Sequence, residues 1–118
     1  MKISILGVPY EIIRRDYKDD PEFEKSNIDG YCENCLKKIV VGNLKTFPQF
    51  ERADDESIKL AEKEVLRHEI IHAFLNESGL QCCACEVTGP WAKNEEMVDW
   101  FAIQGEKIYR AWRIAGAV

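Results

Sequence analysis

Residues 54–79 read DDESIKLAEKEVLRHEIIHAFLNESG, and the pattern within them decides the fold. Ile58, Ala61, Val65, Leu66, Phe74 and Leu75 recur at the spacing that puts apolar side chains on one side of an α-helix. Asp54, Asp55 or Ser57 offers a short oxygen-bearing side chain to the free amides of a first turn, and Gly79 is placed to stop the helix in a left-handed cap. The spacing predicts one long helix from Glu56 to about Ser78. His68 and His72, the only histidines of the chain, stand four residues apart on it, so their rings leave adjacent turns toward one spot with Glu69 beside them.

Upstream of that helix the pattern changes to strands. Ile3, Ile5 and Leu6, then Val8, Tyr10, Ile12 and Ile13, make two short strands or one bent one, broken at Gly7. Arg14 to Asn27 is charged, contains Pro21 and reads as loop with a helical turn. Ile28–Cys32 and Leu36–Val41 are apolar runs separated by Glu33 and Asn34, which suggests a hairpin and hence an antiparallel sheet of three or four strands. Gly42 to Ala53 reads as a surface connection. Downstream, Leu80 to Lys93 is a loop with Cys, Gly and Pro, after which Asn94 caps a second helix burying Met97, Val98, Phe101, Ala102 and Ile108. The expectation is an α+β fold, one domain over residues 1–118, with an N-terminal antiparallel sheet packed on two helices.

The 118 residues suffice for one core, and 46% hydrophobic with 31% charged residues is the balance of an ordinary folded domain. A net charge of -5, with sixteen Lys and Arg dispersed among acids, leaves no basic footprint for nucleic acid. No segment has the length of a membrane span or the pattern of a signal peptide, so a cytoplasmic protein is expected. In such a compartment the five cysteines read as reduced thiols or metal ligands.

His-Glu-x-x-His on a helix is the spacing at which two imidazoles hold zinc while the intervening carboxylate serves as general base. A hydrolytic zinc site needs a third protein ligand and an open position. Asn94, Glu95 and Asp99 open the next helix and bring two carboxylates to it, with Glu95 sharing a face with Val98, Asp99 and Ala102. Glu96 is the rival, turned about 100° around the helix. Each position also has a plainer reading: surface histidines, a helix-surface acid at Asp99, and a charge favoured by the helix N-terminus at Glu95.

His68-Glu69-x-x-His72 followed by Asn94-Glu95-x-x-x-Asp99 resembles the signature of the gluzincins, the thermolysin-type zinc metallopeptidases. The phrases HEIIHAFLNESGL and NEEMVDWFAIQ, with the opening MKISILG, are similar to the minimal HExxH proteins of phages and prophages, most strongly over residues 58–104. The resemblance implies a zincin-like fold, with His68, His72 and Glu95 as zinc ligands. It also implies that Asp99 orients a ligand imidazole from outside the coordination shell. The expected activity is zinc-dependent hydrolysis of peptide bonds, in which Glu69 takes a proton from water and delivers it to the leaving amine. Larger gluzincins add a donor for the oxyanion, and Tyr109, Arg110 and Tyr31 are the substitutes on offer here. Lys38–Gly42 matches the edge strand to which this superfamily adds an extended peptide substrate.

Two further features stay open. Cys32-x-x-Cys35 resembles half of a zinc knuckle, which Cys82, Cys83 and Cys85 could complete, although their spacing is unusual and bystander thiols are the default. The apolar tail Ala111–Val118 could cover the site or mediate self-association. The competing functional readings are a zinc-binding module on a gluzincin scaffold without turnover, and a structural protein whose only zinc is held by cysteines.

Overall fold

The computed structural model describes the backbone of residues 1–83 and 95–118, and their side chains apart from those of Cys82, Cys83, Glu95, Val98, Asp99 and Ala102. Its strands are β1 (Lys2–Ile5), β2 (Val8–Arg15), β3 (Gly30–Glu33) and β4 (Lys38–Gly42); its helices are α1 (Pro21–Lys25), α2 (Asp55–Glu77), α3 (Leu80–Cys83) and α4 (Glu95–Ala115). The fold is α+β. Among these residues no helix is long and apolar enough to cross a membrane.

β1 and β2 form a hairpin in which Ile5 pairs with Val8 across the two-residue turn Leu6-Gly7. Both turn residues have positive φ, 49° and 90°, as a turn matched to the right-handed strand twist requires. β3 and β4 form the second expected hairpin, with Gly30 opposite Val41 and Glu33 opposite Lys38. The four strands run in the order β1-β2-β4-β3. Because β4 lies parallel to β2, from Glu11 beside Lys38 to Arg15 beside Gly42, the sheet is mixed and the expectation of an antiparallel sheet is corrected. The reason lies in β4 itself: Ile39, Val40 and Val41 are all buried, which is the composition of a strand covered on both faces and paired on both edges. The hairpin therefore docks by β4 and leaves β3, with its polar Glu33, on the outside.

One sheet face carries the main core. Ile3, Ile5, Tyr10, Ile39 and Val41 meet Leu66, Ile70, Ala73 and Phe74 of α2, with Ile108 and Ala111 of α4. A second cluster joins Val40 to Phe23 of α1, to Leu44 and Phe47 of the connection after β4, and to Ile58 of α2. Beside it the nearly inaccessible Asp20 accepts hydrogen bonds from the Tyr31 hydroxyl and Arg15, both at 2.8 Å.

α2 begins where a cap was expected. Asp54 accepts from the Ser57 amide at 2.8 Å and from its hydroxyl at 2.7 Å, and Gly79 at φ 81° follows the last turn. Its far end is tied to the sheet. The buried Tyr10 hydroxyl donates to Glu77 Oε1 at 2.6 Å, Asn76 Nδ2 donates to the Tyr10 oxygen at 3.2 Å, and the Lys37 ammonium pairs with the same carboxylate. The C-terminal tail docks on the core: Ala117 is fully buried and its carbonyl accepts from Arg67 Nη1 at 2.8 Å.

Candidate metal centre

The apolar side of α2 faces the sheet, and the turn after Leu66 brings three polar side chains to its border with β3. His68 and His72 are exposed, whereas Glu69 is only 6% exposed. The two Nε2 atoms approach to 3.1 Å, with ring centroids 4.8 Å apart and planes at 67°. For ligand bonds of about 2.0–2.1 Å, that separation corresponds to an angle at a shared ion of roughly 100°, close to the tetrahedral value. The donor pair thus fits zinc. Without an ion, 3.1 Å is also the length of an N–H···N hydrogen bond between a donor and an acceptor tautomer. Partial desolvation of its ring, then the neighbouring His68, lowers the His72 pKa and so favours the neutral imidazole that a ligand must be.

Both histidines and Glu69 line one open concavity of about 380 Å³, whose opposite wall includes Gly30 and Cys32 of β3. Desolvation pushes the Glu69 carboxyl up to about 7, near the value suited to a group that must both take and release a proton at neutral pH. The Cys32 thiol is pushed up to about 12, by burial first and by the Glu69 charge second, so it stays protonated. It donates to Asn34 Oδ1 at 3.4 Å.

The other expected residues divide. Glu95 is the first residue of α4, but its side chain and that of Asp99 lie outside the described residues. Among the described residues no group of three His, Cys, Asp or Glu side chains could hold a metal, so a three-ligand site depends on a group beyond them. Cys32 and Cys35 are free thiols, one half-buried and the other exposed. Cys85 and the side chain of Cys82, the other half of the proposed cysteine site, lie outside the described residues.

The oxyanion candidates fare less well. Tyr31 points to the opposite sheet face from Gly30 and Cys32, as strand alternation dictates, and its hydroxyl is engaged by Asp20 and Arg15. Tyr109 is 55% exposed, and fourteen residues of helix set it about 21 Å along α4 from Glu95. Arg110 lines a different groove, between β1 and α4. Lys38–Gly42 is not an edge strand. β4 is paired on both sides, and among the described residues the edge strand beside α2 is β3. Strand order is a non-local property, and the apolarity of β4 on both faces was the one local signal of this exchange. No family model, no curated protein and no solved structure matches the chain.

Proposed function

We propose that the chain is a small zinc-dependent peptidase built on a zincin-like scaffold of the phage type. The observation that carries this reading is the convergence of the His68 and His72 Nε2 atoms at 3.1 Å, in one concavity with the nearly buried Glu69 and beside β3, the edge strand there among the described residues. His68 and His72 would hold the zinc, with Glu95 as the third ligand and Asp99 orienting an imidazole, as the gluzincin resemblance implies. When bound, zinc supplies Lewis acidity that lowers the pKa of water and polarises a carbonyl. Glu69 accepts a proton from water at its carboxylate and returns it to the leaving nitrogen; its desolvated setting suits both transfers. Among the described residues β3 is the edge strand beside the concavity, where an extended peptide would add as a fifth strand.

A second reading has its own support. The Tyr31 hydroxyl is committed elsewhere and Tyr109 is remote, which favours a zinc-binding module without turnover. Metal content combined with hydrolysis separates the two. His72→Ala should lose one zinc equivalent while Cys32→Ala keeps it, and Glu69→Gln should keep zinc but lose cleavage of a peptide library. Wild type and Glu69→Gln equally inert, both zinc-loaded, would reject the peptidase and leave the binding module.

A further inference from the structure

Gly30, the first residue of β3, is buried directly beneath α2. A Cβ built there would lie 2.6 Å from Val65 Cγ1 and 2.8 Å from the Val40 carbonyl oxygen, with Glu69 Cγ at 3.5 Å. The first two separations are well inside van der Waals contact. Neither neighbour yields easily, since Val65 is branched at Cβ and stiff about χ1, and the Val40 oxygen is backbone within the central strand β4. Val65 and Glu69 are one helical turn apart and stack on the same face of α2, so both rest over the same strand. The close seat of α2 on β3 therefore exists only because position 30 has no side chain.

We infer that Gly30 is a positioning residue: its bare Cα sets how deeply Glu69 sits in the concavity relative to the β3 edge. Deepening the peptidase reading, on which it rests, this assigns to β3 two tasks, presenting the edge on which substrate lies and fixing the base against it. The histidine pair responds differently. His68 and His72 belong to one helix, and their mutual spacing is set by the helical repeat, whatever the distance between helix and sheet. An added methyl at position 30 lifts the Val65–Glu69 turn from β3 but leaves the Nε2 pair convergent. Binding of metal by the pair and action of the base on a docked peptide thus become separable.

The test uses the full chain with Gly30→Ala, Val65→Ala and the double variant. Gly30→Ala should keep zinc affinity within about threefold and lower kcat by about 100-fold, the loss expected when a reacting group is displaced by about 1 Å. Val65→Ala removes the nearest clashing atom, so the double variant should regain at least about tenfold in kcat over Gly30→Ala, leaving a deficit of at most about tenfold from the Val40 carbonyl contact that remains. It also serves as the foldable partner if Gly30→Ala alone is unstable. In the metal-free protein, urea unfolding of the same variants should be strongly non-additive, with Val65→Ala costing far less stability when introduced together with Gly30→Ala than in wild type. Additive stability changes, or unchanged kcat in Gly30→Ala, would overturn the positioning role. If the wild type cleaves nothing, the peptidase reading falls and the positioning role falls with it, while the unfolding cycle still decides whether Gly30 seats α2.

Discussion

Replacing Glu69 by glutamine should stabilise the metal-free protein, and by an amount that depends on pH. The side chain is 6% exposed, and desolvation carries its carboxyl from 4.5 to about 7. At about 1.4 kcal/mol per tenfold change in proton affinity, keeping it ionised in the folded state costs about 3 kcal/mol. The sign follows from linkage. Between 4.5 and 7 the folded state binds the proton that the unfolded state has released, so wild-type stability falls as pH rises through this window. Below 4.5 the carboxyl is neutral in both states, and glutamine is close to its equal in shape and charge. The stability difference between Glu69→Gln and wild type should therefore be near zero at about pH 4, grow through about pH 6 and level off above about pH 8 at about 3 kcal/mol in favour of the variant. Urea unfolding of both proteins in the presence of a chelator, across that pH range, measures it. Because every other titrating group is shared, the difference isolates position 69. A difference constant with pH would refute the desolvated environment, and a variant less stable than wild type at the alkaline end would show that Glu69 has a cationic partner.

Asp20 titrates in the opposite sense. Burial alone would raise its pKa, but hydrogen bonds from Tyr31, Arg15 and the Glu22 amide outweigh it and hold the carboxyl below 3.8. Asp20→Asn should cost about 2 kcal/mol at neutral pH, discounted for the partly exposed arginine. That cost is fully present above pH 3.8 and shrinks as pH falls through the folded-state value; comparing denaturation at neutral pH with denaturation below that value tests it. Leu6 occupies φ 49°, a conformation unfavourable for a leucine, so Leu6→Asn should stabilise the β1–β2 turn by about 0.5 kcal/mol and raise Tm by a few degrees.

What could be read from the chain was what depends on neighbours in sequence. The limits of α2 follow from Asp54, Gly79 and the apolar repeat between them, all local preferences satisfied within one or two turns. The convergence of His68 and His72 follows from the helical repeat, and the β3–β4 hairpin from two apolar runs around a short polar break. The parallel pairing of β2 with β4 was not legible, because it joins residues separated by a whole strand and an intervening helix. Nor was the role of Tyr31. Its residue type made it a candidate oxyanion donor, whereas the alternation of the strand turns it to the far face and onto Asp20.

Sequence by itself determined a helix that carries two imidazoles and a carboxylate in fixed mutual geometry, since a helix places side chains by a repeat that needs no partner. Only the tertiary structure decided which strand lies beside them, that among the described residues this strand stands at the end of the sheet, and that Glu69 is buried while His68 and His72 remain exposed. Those properties come from packing two elements against each other. A glycine at position 30, ordinary in the chain, acquires its meaning from Val65 on a distant helix, whose methyl occupies the space where its side chain would have been.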